Sequence, residues 1–244
     1  MMKLNCDLGE SFGAWQMGLD EEVMPHIDMA NIACGFHGGD SDVLARTLML
    51  AKQHNVIIGA HPSYPDKQGF GRRSMALTPQ ELSNCLHYQI AAIEGMAKVQ
   101  GLNLEYVKPH GALYNDMMAD KTILTTVMQA VASYPSPLKL MLLATAKAEQ
   151  HQQLAQQYHL ELILEAFADR QYTDDGQLVS RKIAGSVHDK PALIAQVKQL
   201  LATGCVTTQS GKQLPLHADS LCVHGDNAAG IALIQEIKAL CHTR

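Results

Sequence analysis

The sequence contains no CxxC pair; its six cysteines, Cys6, Cys34, Cys85, Cys205, Cys222 and Cys241, are scattered along the chain. That spacing excludes a zinc site built on paired thiols and suits reduced, core-filling cysteines better than a disulfide framework. Long apolar runs are missing too. Stretches such as 140–146 are far too short to cross a bilayer, and the N-terminus reaches Asp7 before an apolar signal core can form. The expectation is a cytoplasmic protein with no membrane attachment. Basic character is also lacking: 19 Lys and Arg against 24 Asp and Glu give a net charge of −5, opposite to the balance that general nucleic-acid binding requires. No Walker-type phosphate loop, dinucleotide fingerprint or low-complexity linker occurs. What the chain does have is 47% hydrophobic and 18% charged residues over 244 positions, enough to bury a sizeable core within one domain spanning 1–244.

Short apolar runs alternate with helical periodicity from end to end. The runs predict seven strands, at 3–8, 29–35, 56–60, 105–108, 139–144, 161–166 and 220–223. Between them, Thr78-Pro79-Gln80-Glu81 is a capping box with proline at the first helical position, and apolar residues follow at Leu82, Leu86, Ile90, Ile93 and Ala97. Helices are also predicted at 42–54, 121–132, 146–158, 191–202 and 228–240, with Asp120 and Asp189 as caps. Such alternation implies right-handed crossovers and a parallel α/β sheet, either open or closed into a seven-stranded β/α barrel of distorted TIM type. Two stretches break the rhythm as insertions: 169–189, and 205–216 with a Ser210-Gly211 hairpin signal.

Histidine placement is more informative than histidine number. Among the twelve, His37, His61, His110 and His224 each fall at the C-terminal end of a predicted strand, and three of these are followed by glycine. Parallel α/β folds build their active sites at that end. One histidine there is ordinarily a structural hydrogen-bonding residue; four together point to a site. Carboxylates and an ammonium join them: Asp7 and Glu10, Lys108, Glu165 and Asp169, and Asp226. Two chemistries fit. Asp7 with His61 and His110 is a candidate ligand trio for a divalent metal that activates water. Alternatively a carboxylate or histidine acts as general base while Lys108 and backbone amides stabilise an oxyanion, with no metal. In the loop after the third strand, Arg72 and Arg73 suit a substrate carboxylate or phosphate. The amides of Cys34-Gly35-Phe36-His37-Gly38-Gly39-Asp40 lead into a helix and could receive an anion.

Longer blocks carry a resemblance. Asn5-Cys6-Asp7-Leu8-Gly9-Glu10, Ala30-Asn31-Ile32-Ala33-Cys34-Gly35-Phe36-His37-Gly38-Gly39-Asp40, Gly59-Ala60-His61-Pro62-Ser63-Tyr64-Pro65-Asp66 and Val107-Lys108-Pro109-His110-Gly111-Ala112-Leu113-Tyr114-Asn115 resemble the signature blocks of the LamB/YcsF family. The similarity continues through Glu165 to Tyr172, Ser180-Arg181 and Cys222 to Asp226. It implies a seven-stranded β/α barrel of the glycoside hydrolase/deacetylase type. It also implies ATP-dependent opening of the 5-oxoproline (pyroglutamate) lactam to L-glutamate, as the A subunit beside 5-oxoprolinase subunits B and C. The roles expected from it are Asp7 and His110 on the attacking water, Lys108 and His37 on developing charge, and Glu10, Arg72, Arg73 or Arg181 on the substrate. Deacetylase-like barrels of this type imply the Asp7, His61, His110 trio for a divalent ion. Two other readings stand beside this one: a solitary metal-dependent deacetylase or carbohydrate-active hydrolase, independent of ATP, and a non-catalytic docking subunit.

Overall fold

The computed structural model describes residues 2–224 and 228–242. In chain order the elements are β1 (Lys3–Leu8), α1 (Asp20–Val23), β2 (Met29–Ala33), α2 (Ser41–Gln53), β3 (Ile57–His61), α3 (Pro79–Val99), β4 (Leu104–Val107), α4 (Gly111–Ala119), α5 (Lys121–Ala132), β5 (Lys139–Leu143), α6 (Ala148–Gln156), β6 (Leu162–Phe167), α7 (Lys190–Thr203), β7 (Cys205–Thr207), β8 (Gln213–Pro215), β9 (Ser220–Cys222) and α8 (Ala228–His242). Seven strands close into a parallel barrel in the order β1-β2-β3-β4-β5-β6-β9, with β9 pairing back onto β1 through Asn5 and Cys222. Closure decides the choice that periodicity leaves open. No helix among the described residues is long and apolar enough to cross a membrane.

Most differences from the sequence expectation lie at element ends; α1 and α4 are whole helices that it lacks. β2 stops at Ala33 rather than residue 35, because the chain turns there and the Gly35 amide donates to Gly38 O at 2.9 Å. α6 is shorter than the 146–158 expected, since Thr145 Oγ1 receives the Lys147 amide and delays the helix. α4 is absent from the sequence expectation: it opens on a glycine directly after His110, a composition that reads as a loop. The 205–216 insertion is the antiparallel pair β7 and β8. α3 starts as the capping box requires, with the Glu81 amide donating to Thr78 Oγ1 and the Thr78 amide to Glu81 Oε2.

Two apolar clusters divide the interior. The large one fills the space between barrel and helices, using Leu48 of α2, Leu86, Ile90 and Ile93 of α3 and Val127 of α5. The small one, Met29, Tyr106 and Met141, is separate from it. The Tyr106 ring lies where a side chain on Gly59 would sit, so glycine is required there. Strand periodicity then sets what lies above, because residues two apart share a face. Asn5 with Asp7 on β1, and Tyr106 with Lys108 on and just past β4, therefore project a polar column along the barrel. Tyr106 Oη donates to Asn31 Oδ1 at 2.7 Å, Asn31 Nδ2 to Asn5 Oδ1 at 2.8 Å, and Asn5 Nδ2 to Ser220 Oγ at 2.8 Å. Each of these donors meets an acceptor, which is the condition for burying so many polar groups.

Candidate active site at the barrel mouth

The column ends in ionisable groups. Lys108 Nζ lies 2.9 Å from Glu165 Oε2 and 3.2 Å from Asp7 Oδ1, and also donates to Asn5 Oδ1 at 3.1 Å. Burial opposes the ammonium, but the carboxylates of Asp7 and Glu165 outweigh it and hold the Lys108 pKa well above its usual range. Burial likewise opposes the Asp7 carboxylate, and His61 and Lys108 outweigh that, holding it well below the usual carboxylate range. Lys108 is therefore a permanent cation whose donors are already engaged. It orients Asp7 and leaves Asp7 Oδ2 directed at His61.

Two histidines meet beside that oxygen, and backbone carbonyls fix their tautomers. His61 Nδ1 donates to Lys108 O at 2.7 Å, and His110 Nε2 donates to Phe70 O at 3.0 Å. A carbonyl only accepts, so each ring proton is committed outward. The inward atoms, His61 Nε2 and His110 Nδ1, then face each other at 3.0 Å. Asp7 Oδ2 lies 3.4 Å from the first and Glu10 Oε1 lies 3.5 Å from the second. Asp7 Oδ2, His61 Nε2, His110 Nδ1 and Glu10 Oε1 thus form a run of electron-rich atoms in which the two facing nitrogens call for a positive charge between them. A shared proton meets that need; so does a divalent ion, for tetrahedral ligand atoms stand about 3.3 Å apart. Burial, joined by the neighbouring rings, pushes the pKa of both His37 and His110 well below the usual histidine range. Neutral imidazoles of this kind are metal-ready.

Glycine brings the next layer in. A Cβ on Gly38 would lie 2.8 Å from Glu10 O, so only glycine lets the loop after β2 press against the loop after β1. That contact sets His37 Nε2 3.0 Å from Glu10 Oε1. The His37 ring stacks on His110, with centroids 3.7 Å apart and planes 5° from parallel. Burial pushes the Glu10 pKa up, and the Asp7 charge adds to it, so the two carboxylates of the mouth are driven apart.

In front of these groups a cavity of about 540 Å³ opens, lined by Asp7, His61, Arg72, Lys108, His110, Tyr114, Phe167, Arg170, Arg181, Lys182 and His224. A larger cavity of about 830 Å³ lies at the other end of the barrel, with Lys3, Tyr106, Lys139 and Asp219 in its wall. Its charges serve the fold: Asp219 accepts the Leu164 amide at 2.9 Å and Lys139 pairs with Glu161 at 2.6 Å. The chemistry gathers at the smaller one.

Residues 2–244 match the model of the LamB/YcsF family. The chain belongs to the LamB/YcsF family. It is 55% identical over 236 residues to a 5-oxoprolinase A subunit of Pseudomonas putida, the second of that name, covering 96% of this chain and 92% of that one. It is 54% identical over 236 residues to the 5-oxoprolinase A subunit of Pseudomonas fluorescens, covering 96% and 94%. Among solved structures, the lactam utilization protein from Thermus thermophilus aligns with a TM-score of 0.89 and 36% identity, covering 98% of this chain and 94% of that one.

Within this LamB/YcsF barrel the residues singled out from sequence separate into groups. Asp7, His61, Lys108, His110, Arg72 and Arg181 line the cavity. Glu10 and His37 stand against His110 and do not line it. Arg73 is not brought to the cavity: its guanidinium pairs with Asp66, which also accepts the Gly69 amide at 2.9 Å and so staples the 66–73 loop. In the 34–40 segment expected to hold an anion, the Gly35 and Gly39 amides are already engaged by Gly38 O and Ser11 O at 2.9 and 3.0 Å, and Asp40 caps the helix that follows by accepting from the Asp42 and Val43 amides. Asp226 lies outside the described residues.

The structure also brings in groups that sequence reasoning passes over. Arg170, 7% exposed, donates to Val179 O and Ser186 O and pins the 169–189 excursion over the mouth. Tyr114, on the unexpected α4, turns a buried hydroxyl toward the Glu165 carboxylate, and burial with that charge raises its pKa well above the usual range. His224 Nδ1 lies 3.1 Å from Asp169 Oδ2; burial opposes the imidazolium, and the Asp169 carboxylate outweighs it and raises the His224 pKa. Burial pushes the Cys6 and Cys222 thiols well above their usual range and Cys34 to about 12, which removes a thiol nucleophile from consideration.

Proposed function

We propose that this LamB/YcsF chain is the A subunit of a cytoplasmic 5-oxoprolinase, which with subunits B and C couples ATP hydrolysis to opening of the 5-oxoproline lactam, giving L-glutamate. The observation that carries the reading is the mixed charge of the mouth: an ionised carboxylate and two imidazoles line the same cavity as the cations Arg72, Arg181 and Lys182. Among the described residues those three cations have no acidic partner within 4.0 Å, so they are free to take the carboxylate of a small anionic substrate. The relatives' names, 5-oxoprolinase A subunit and lactam utilization protein, point to the same substrate class.

The chemistry follows from the substrate. A five-membered lactam is a poorly electrophilic amide, so its opening needs activation, which phosphorylation of the carbonyl oxygen by ATP supplies. Asp7, held by Lys108 and Asn31, accepts the proton of the attacking water, which His110, held by Phe70 O, helps to position. Arg72 or Arg181 holds the substrate carboxylate. Scission of the C–N bond leaves an acyl phosphate, whose hydrolysis releases inorganic phosphate and L-glutamate, and an amine that needs a proton; His224, charged through Asp169, faces the same cavity to give it. Lys108, expected from sequence to meet developing charge directly, acts instead through Asp7. A divalent ion bound beside His61 and His110 would acidify water and polarise an oxygen.

Glutamate release from 5-oxoproline and ATP tests the reading, with the purified chain alone compared with the chain plus subunits B and C. Glutamate in the full mixture only, abolished by Asp7→Ala in this chain, is the expected result. Absence of glutamate from assembled, folded subunits would overturn it. The facing nitrogens of His61 and His110 favour one other reading, a metal-dependent hydrolase working alone, which predicts turnover by the isolated chain without ATP.

A further inference from the structure

His37 is the one histidine of the cluster whose geometry conflicts with ligation. An ion bound to an imidazole lies in the plane of the ring, along the nitrogen lone pair. His61 and His110 meet that condition together, since their rings stand 85° to one another and their inward nitrogens converge. His37 and His110 do not. Their planes are 5° from parallel with centroids 3.7 Å apart, so their in-plane lone pairs run side by side and cannot point at a common ion. Proximity alone groups Glu10, His37, His61 and His110, whose ligand atoms all lie within 4.8 Å of one another. Ring orientation removes His37 from that set.

What His37 does offer is a donor. Its Nε2 lies 3.0 Å from Glu10 Oε1, the same oxygen that stands 3.5 Å from His110 Nδ1. Its side chain is buried, and packing fixes it from two sides: His110 stacks on one face and Phe70 meets it edge-on at 5.4 Å. A ring locked this way determines where the Glu10 carboxylate points.

We propose that the mouth binds a divalent cation between His61 Nε2 and His110 Nδ1 with Glu10 as a third ligand, and that His37 is a positioning residue which donates to Glu10 and never touches the ion. This puts Glu10 in the place of Asp7 in the sequence-based trio of Asp7, His61 and His110, since the ligand atoms that lie within 4.8 Å of one another include Glu10 and not Asp7, and it gives His37 a role other than stabilising charge on substrate. It deepens the reading of the mouth as a hydrolytic centre and rests on it.

The test is Zn²⁺ binding by titration calorimetry on the chelator-stripped full chain, without subunits B and C, ATP or 5-oxoproline. Its outcome is thereby separable from that of the glutamate assay. Wild type is expected to take up one ion. Glu10→Gln and His37→Phe, which keeps a stacking ring but loses the donor, should each weaken binding by about 10–100-fold. His37→Gln, which restores an N–H donor, should return affinity to the wild-type range. Uptake by Glu10→Gln equal to wild type, or no uptake by wild type, overturns the assignment of Glu10. Equal losses in His37→Gln and His37→Phe overturn the positioning role. Thermal melts in chelator report whether each variant is folded, and Glu10→Gln decides ligation even if His37→Phe is not.

Discussion

Replacing Lys108 by methionine probes the barrel's buried charges most directly. The side chain is similar in length but lacks the ammonium, so Glu165 Oε2 loses a partner at 2.9 Å and Asp7 Oδ1 loses one at 3.2 Å. The two losses are unequal. Asp7 has a side chain 21% exposed and keeps Asn31 Nδ2 at 2.8 Å, so water and an amide share its charge. Glu165 is fully buried and keeps only neutral neighbours, Asn5 Nδ2 at 3.2 Å and the buried Tyr114 hydroxyl. Breaking a buried pair by removing one member costs about 3–5 kcal/mol, most of it here at Glu165. For a chain of this length that lowers the melting midpoint by about 6–20 °C. Urea and thermal unfolding of wild type, Lys108→Met and Lys108→Met/Glu165→Gln form the assay. The double variant should regain about half the loss or more, because glutamine removes the uncompensated charge. A loss under about 1 kcal/mol for Lys108→Met, or a double variant no more stable than the single one, would refute the claim that this ammonium neutralises Glu165.

Gly59→Ala should destabilise the fold by at least about 1–3 kcal/mol, because the new methyl overlaps the Tyr106 ring, whereas Gly95→Ala on open helix surface should stabilise by about 0.5–1 kcal/mol; urea midpoints distinguish them. Asp169→Asn should shift the alkaline limb of the kcat/KM profile to lower pH, since His224 then deprotonates earlier. The same raised pKa means that the pair's stabilisation is complete below about pH 6.5 and is lost as pH rises through the folded-state value, so unfolding midpoints of wild type and variant should converge at alkaline pH. Arg72→Ala or Arg181→Ala should raise KM for 5-oxoproline by about 10–100-fold, the worth of a charged hydrogen bond, if that arginine holds the carboxylate, while Arg73→Ala leaves KM unchanged because its guanidinium serves Asp66.

What can be read from the chain are the features written in local chemistry. Seven strands, the capped helix behind Thr78 and the His37, His61, His110 and His224 positions at strand ends follow from spacing and capping, which act over a few residues. α4 escapes such a reading because local composition argues against it. Its opening glycine follows His110, and the helix is secured by tertiary contact with the 66–73 loop, where the Ala112 amide donates to Gly71 O at 2.8 Å. Arg72 and Arg73 are indistinguishable as neighbours in sequence; only the fold sends one guanidinium to the cavity and the other to Asp66.

The sequence by itself determined which groups arrive at one end of the barrel, because strand direction and a period of two place residues without reference to distant partners. Closure of the barrel, the tautomers of His61 and His110, the stack of His37 on His110 and the charge held on Asp7 were decided only by tertiary structure. Each depends on atoms from strands and loops far apart in the chain, down to single carbonyls such as Phe70 O, and hydrogen bonds and Coulomb interactions at about 3 Å cannot be read from spacing along a sequence.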